Sequence, residues 1–450
     1  MFLSTIQNQT FGLITSIKMD TNVEEYPQMR ILKYMGNKRG LLKWLIPILR
    51  ENIEPEEIFL DLFAGTSAVG YALKSRNRII ANDIQEYSYV ISKALLEFNK
   101  QIEENDFLIN LSSAYNKNLK ALTNIYEQAL RSEGAIFSKR SLEEYEKFVN
   151  SFPEYTNSIE KDTFKISDYC SEVFISNRRK NPQKFPYILF STYYANTFFS
   201  LEQCIEIDSL RYAIDQIFDK SKKAVYLSCL VFAISRTVNS TGHFAEYLST
   251  KKLQIFDVRL NSVLANFFFK LGEFRNLHKQ NKWKNLTLNY DWKKAITELS
   301  KKNILKDVKL IYIDPPYTTA QYSRYYHIPE TLVKYDYPEL SIHPRTKKNT
   351  KGGYRSDRLQ SSFSQSTEVE NAFTEIFDII SQSTDSILAI SYSDNSIIKP
   401  VDKLIEIASK YYEIVNKENG HNHSAQGSRF NKNNKGRRLV NEYVLLCKHK

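Results

Sequence analysis

The junction that begins at Glu57 constrains this chain more than any other feature: EIFLDLFAGTSAVGYALKS is a short apolar run, then a turn of small residues, then a helical pattern. A buried strand that passes into a helix through so short a turn belongs to a βα unit. The next run, RIIANDI, ends on an acid and is followed by a helical stretch from Glu86 to Asn99, so the opening reads βαβα and predicts a parallel sheet. The same rhythm returns late in the chain, in NLTLNYDW, VKLIYIDPPY, SILAISYSD and NEYVLLCK, with the helix-like IPETLVKYD between them.

The interval from 104 to 285 has a different character. SLRYAIDQIFDK and KKAVYLSCLVFAIS carry helical spacing, and strand signals are few. The expectation is therefore an α/β core split in sequence: 1–103 and 286–450 complete one sheet, and 104–285 is an inserted, mainly helical domain. Two polar, basic stretches, His343 to Gln365 and Asn416 to Arg438, read as long loops, a length that is usually functional or mobile in compact domains.

The net charge of +11 favours a polyanionic partner, nucleic acid or an anionic surface. Cys170, Cys204, Cys229 and Cys447 are far apart with no CxxC pair, which argues against a zinc site or a disulfide scaffold. No run approaches the roughly 18 apolar residues that would span a bilayer. A cytoplasmic chain, without metal or membrane association, is expected.

Three places carry chemistry. The turn from Asp61 to Gly70, DLFAGTSAVG, lets backbone approach a ligand at a strand's carboxyl end, although any tight strand-to-helix turn also needs glycine. Asp83 ends the second strand, where doubly wound folds place an acid against ribose hydroxyls; capping the next helix is the alternative use. Asp314-Pro315-Pro316-Tyr317 follows VKLIYI directly. Two prolines stiffen that strand end and donate no backbone hydrogen bond, so one carboxylate and one carbonyl become paired acceptors beside a tyrosine ring. Such a site suits an amino group on a planar ring.

With these residues in place the sequence resembles the DNA adenine methyltransferases that carry a DPPY motif, in the arrangement where the cofactor half precedes the catalytic half. Lys33 to Lys38, KYMGNK, is similar to the family's N-terminal motif, Asp61 to Gly70 to its S-adenosyl-L-methionine turn, Asp83 to its ribose-binding acid and Asp314 to Tyr317 to its catalytic tetrad. YYANTFFSLEQCIEIDSLRYAID and STGHFAEYL resemble stretches found in a subset of these enzymes. The resemblance implies a Rossmann-like α/β sheet, with the inserted helical domain reading double-stranded DNA, and transfer of a methyl group to the N6 amine of a flipped adenine. It implies Asp314, Pro315, Pro316 and Tyr317 as catalytic residues, and Lys38, Phe63, Gly65 and Asp291, with Asp61, Asp83 and Asp314, as cofactor-binding residues. A restriction endonuclease partner would be a separate chain.

Ser67 departs from the pattern, standing where the family most often has a third turn glycine, and is expected to fit with a negative φ. Tyr322, Tyr325, Tyr326 and His327 either frame the flipped base or form a buried helix face. Arg178, Arg179, Lys180 and His243 are candidate DNA contacts. RNA adenine or the N4 amine of DNA cytosine remains an alternative substrate for the same chemistry, and a non-catalytic DNA-binding scaffold is the alternative of another class.

Overall fold

The computed structural model describes residues 29–36, 38–153, 155, 163–249, 252–276, 283–350, 352–419, 423–424 and 439–450. Its sheet is assembled from the apolar runs: β1 (Ile58–Asp61), β2 (Arg78–Asn82), β3 (Leu286–Leu288), β4 (Val308–Ile313), β5 (Ile387–Ser393), β6 (Tyr412–Asn419) and β7 (Glu442–His449). β1 is buried along its whole length, as are all but one position of β4 and of β5. That is why these runs do not alternate apolar with polar: both faces of a parallel sheet are covered by helices.

Among the described residues the strand order is β3-β2-β1-β4-β5-β7-β6. The first five strands are mutually parallel, and β7 lies antiparallel between β5 and β6. The expectation of a parallel sheet thus holds for five adjacent strands and fails at β7, which runs opposite to both of its neighbours. β6 and β7 have no described helix between them, and without a helical crossover the chain returns antiparallel.

The order reverses between β1 and β4, and the register sets Asp61 beside Tyr312, two residues before Asp314. Ligands of open α/β sheets bind at the carboxyl ends of strands at such a switch point. Helices Trp292–Lys301, Val369–Ser381 and Val401–Ala408 cover this part of the sheet. In VENAFTEIFDIIS the buried residues Val369, Ala372, Phe373, Ile376, Phe377 and Ile380 recur at three- and four-residue steps. That stripe packs into one core with Leu60, Ile311, Ile313, Leu388 and Ile390.

The chain divides into two compact units. The α/β unit comprises Tyr26–Asn99, Gln280–Val333 and Asp357–Lys450; a second unit contains Lys100–Lys279 and Lys334–Ser356. In the second unit the long helices Leu201–Asp215, Lys220–Thr237 and Val263–Arg275 are started by side chains. Ser200 and Gln203 form a capping box, while Asp219 and Ser262 accept from the first turns of the other two. Glu133 accepts from the Leu201 and Glu202 N–H groups, and Glu206 from those of Val263 and Leu264. Burial pushes both carboxyls up to about 7, yet their acceptor positions serve helix starts.

Lys334–Ser356 belongs to this helical unit and not to the C-terminal core in which 286–450 placed it. Its buried tyrosines explain the difference: Tyr335 donates to Asp208 at 2.6 Å and Tyr354 to the Ala245 carbonyl at 2.6 Å. The stretch His343 to Gln365 is likewise more than one loop. Antiparallel bridges join Leu340 to Arg355 and Ile342 to Asn349, and Ser362–Ser364 forms a 3₁₀ turn. Of the stretch Asn416 to Arg438, residues through Asn419 continue β6, and 420–422 and 425–438 lie outside the described residues. Among the described residues no helix is long and apolar enough to cross a membrane.

Candidate active site

The carboxyl ends of β1, β2 and β3 are tied together by Asn82. Its amide donates to the carbonyls of Leu62 (3.2 Å) and Tyr290 (3.1 Å) and accepts from the Tyr290 N–H. Above this knot the chain turns through Gly65 at φ +51°, where a Cβ would come 3.1 Å from the Tyr34 ring. The Gly65 N–H donates to Asp83 Oδ2 and the Gln85 N–H to Asp83 Oδ1, both at 2.8 Å. One carboxylate thus holds the first βα turn and the start of the second helix at once. Burial pushes its carboxyl up to about 7, and these N–H groups oppose the rise.

Ser67 adopts φ +55°, contrary to the negative φ expected for it. The Ser67 N–H returns to the Ala64 carbonyl, and the chain passes through this left-handed residue directly into the helix Ala68–Leu73. The strain is held by full burial and a 2.5 Å hydrogen bond between the Ser67 and Ser92 hydroxyls.

Asp61 is buried, and burial raises its carboxyl well above the usual range, with the Asp314 and Asp83 charges adding to the effect. Its Oδ1 has no hydrogen-bond partner. Across the switch point, Asp314 meets the ammonium of Lys38 at 3.1 Å. Lys38 also lies 3.4 Å from Glu442 and 4.9 Å from the centre of the Tyr317 ring. Tyr317 donates to Glu442 at 3.3 Å, and its carbonyl accepts from the Ile397 N–H at 2.9 Å. Burial pushes the Asp314 carboxyl up to about 6; Lys38 pulls it down and Glu442 pushes it up.

The N-terminal motif is clamped to the helix after the tetrad by tyrosines. Tyr34 stacks on Tyr326 and tilts against Tyr322 at centroid distances of 4.8 and 5.1 Å. Tyr322 donates to the Met35 carbonyl and the Met35 N–H donates to the Tyr326 hydroxyl. Gly36 sits under this clamp at φ +70°, where a Cβ would lie 2.7 Å from the Tyr322 hydroxyl. Tyr326 and His327 are buried, and Tyr322 lines a cavity. Asn37, in the same motif, lies outside the described residues.

That cavity, of about 350 Å³, is lined by Lys38, Asp61, Phe63, Gly65, Asp83, Asp291, Asp314, Pro315, Pro316 and Tyr317. The ten residues to which the resemblance gives a catalytic or cofactor-binding role therefore meet in one place. Phe63 packs edge-on against Phe363. Asp291 is exposed and caps the helix Trp292–Lys301, accepting from the Lys294 N–H at 3.1 Å, as well as lining the cavity.

The D12 class N6 adenine-specific DNA methyltransferase family model matches residues 34–394. The chain belongs to this family. It is 24% identical over 394 residues to Modification methylase LlaI of Lactococcus lactis subsp. lactis, covering 84% of this chain and 49% of that protein. It is 25% identical over 374 residues to Type II methyltransferase M.FokI of Planomicrobium okeanokoites, covering 82% and 45%. The chain spans about half the length of these relatives.

Two groups in this D12 methyltransferase were not visible in its sequence pattern. Glu442 heads the apolar strand β7, where an acid before a buried run was the only signal. Glu330, in the helix after the tetrad, accepts from the Glu86 and Tyr87 N–H groups at 3.2 Å and so ties that helix to the one after Asp83. Conversely, Arg178 and Arg179 do not present free guanidinium groups. Arg178 is buried, bonded to the Lys184 carbonyl and stacked on Phe174; Arg179 bonds the Tyr337 carbonyl, Glu172 and Tyr155. Lys180 is exposed, and His243 accepts from the Ala245 N–H within its own turn.

Proposed function

We propose that this chain transfers a methyl group from S-adenosyl-L-methionine to the exocyclic N6 amine of adenine in double-stranded DNA. The observation that carries the reading is the meeting of Asp314-Pro315-Pro316-Tyr317, at the end of β4, with Asp61 and Asp83, at the ends of β1 and β2, around one cavity.

The residues fit the cofactor. The cavity volume is that of a small-molecule site. Asp61 keeps a buried oxygen without a partner, and Asp61, Asp83 and Asp314 line the same cavity, where the buried Lys38 pairs with Asp314 and is shared with Glu442. That balance favours a ligand with cationic groups. Asp83 spends one acceptor position of each oxygen on backbone, which leaves lone pairs for ribose hydroxyls. Gly65, Phe63, Asp291 and Lys38 would complete the cofactor's walls. Bound there, S-adenosyl-L-methionine supplies a methyl group on a positively charged sulfur.

The chain's own part is positioning and charge. The target adenine must leave the duplex, since its amine is out of reach within the stack. The Asp314 carboxylate and the Pro315 carbonyl would accept from that amine, and both acceptors favour the positive charge that develops on nitrogen during transfer. Tyr317 would stack on the base, a contact worth about 1–3 kcal/mol. The helical unit would read the target sequence, and the charge of +11 suits a DNA partner. A separate restriction endonuclease is the proposed companion, following the relatives' names as modification enzymes.

The test is transfer of tritium from labelled cofactor into methyl-free DNA, followed by nucleoside analysis. N6-methyldeoxyadenosine is expected. N4-methyldeoxycytidine, or label entering RNA alone, overturns the substrate; no transfer and no cofactor binding would leave a DNA-binding scaffold.

A further inference from the structure

We propose that Glu442 is a positioning residue for methyl transfer, holding the Lys38 ammonium and the Tyr317 hydroxyl in place beside Asp314; the inference rests on the reading above. Glu442 opens β7, paired with Ser393 at the carboxyl end of β5, so its backbone is fixed by pairing within the sheet. It is 1% exposed and does not line the cavity. A carboxylate at such a place costs free energy that an apolar residue would not, and it persists only where partners hold it. Its partners belong to the site: Lys38 at 3.4 Å and Tyr317 at 3.3 Å.

The geometry makes Lys38 a cation shared by two acids, since Asp314 lies 3.1 Å from the same nitrogen. Loss of Glu442 removes a restraint on both the ammonium and the phenol, which can then shift toward the acceptors that must receive the substrate amine. The groups facing Asp314 are Lys38, which opens the 3₁₀ turn Lys38–Leu41, Glu442 from β7, Tyr312 from β4, Asp61 from β1, Tyr317 in the tetrad itself and Tyr322 after it. Glu442 is a like charge to Asp314 and opposes its ionisation. Replacing it with glutamine preserves shape and removes the charge.

The experiment compares wild type, Glu442→Gln and Glu442→Asp in single turnover across pH, at saturating cofactor and DNA, with calorimetric binding of S-adenosylhomocysteine. In Glu442→Gln the rate at pH 8 is expected to fall on the order of tenfold, the loss of a charged hydrogen bond. The midpoint of the acid limb should move to lower pH, and product binding should stay within about threefold, since Glu442 does not line the cavity. Glu442→Asp, which keeps the charge and retracts it, should hold the wild-type midpoint with a reduced rate. An unchanged rate and midpoint in Glu442→Gln, a parallel loss of product binding, or a full wild-type rate in Glu442→Asp would overturn the role. Inactivity of the wild type on DNA would instead overturn the proposed function.

Discussion

Replacing Lys38 with methionine removes the cation that separates two buried acids. At the observed 3.1 Å, the attraction between Lys38 and Asp314 is about 5 kcal/mol at an effective dielectric near 20, equivalent to ~4 pKa units before relaxation. Water entry and side-chain movement reduce this, so a rise of ~2–4 units is expected, with Glu442 then an unopposed like charge. The Asp314 carboxyl, pushed up to about 6 by burial in the wild type, would titrate at ~8–10 in the variant. At pH 7.5 its ionised fraction would fall from nearly complete to between about a quarter and under one hundredth, and an acceptor that is protonated cannot receive the amine's second hydrogen bond. Single-turnover methylation should therefore drop between about fourfold and several-hundredfold at pH 7.5, and recover as the pH approaches 10. Lys38→Arg, which keeps the charge, should retain an acid limb near the wild-type position. Thermal unfolding checks that Lys38→Met is folded, because stranding a buried charge costs about 3–5 kcal/mol. A Lys38→Met profile whose acid limb stays near pH 6 would refute the reasoning: either Asp314 is not the titrating acceptor or Lys38 is not its counter-ion.

Two further substitutions probe the cofactor half. Ser67→Gly relieves a left-handed residue at φ +55° and loses the Ser92 hydrogen bond, terms of about 1 kcal/mol each and opposite in sign; denaturant unfolding and product binding should both remain close to wild type, and abolished binding would contradict the account of the turn. Asp83→Asn should weaken product binding about tenfold or more, the loss of a charged acceptor to ribose. Its stability effect has a definite pH sign. Asp83 sits at about 7 in the fold, against ~3.9 unfolded, so folding takes up a proton in this window and the wild type loses stability as pH rises from about 4 to 7. Thermal unfolding should find Asp83→Asn gaining on the wild type between pH 5 and pH 8, and a constant difference would show that Asp83 does not titrate there.

The readable part of the site was that set by strand ends. Asp61, Asp83 and Asp314 each terminate or directly follow an apolar run, and a parallel sheet brings such ends to one edge whatever lies between them. Backbone conformation inside the turn was not readable: whether Ser67 takes a positive φ depends on the Ala64 carbonyl and the buried Ser92 hydroxyl. Partners distant in sequence were hidden for the same reason, Glu442 being 404 positions from Lys38. Arg178 shows the opposite error. A basic cluster on a helix reads as a phosphate contact until burial and a local carbonyl claim the guanidinium. Lys334–Ser356 looked like part of the core because its tyrosines gave no sign of which unit would bury them.

The central claim is tested most directly by modification-detecting long-read sequencing of DNA from a methylation-free bacterium that expresses this chain, with Asp314→Ala as the control. The account predicts N6-methyladenine at one short sequence motif with the wild type, and unmodified DNA with Asp314→Ala even though that variant still binds S-adenosylhomocysteine. Methylcytosine, unmodified DNA from well-expressed wild type, or equal methylation by Asp314→Ala would contradict it.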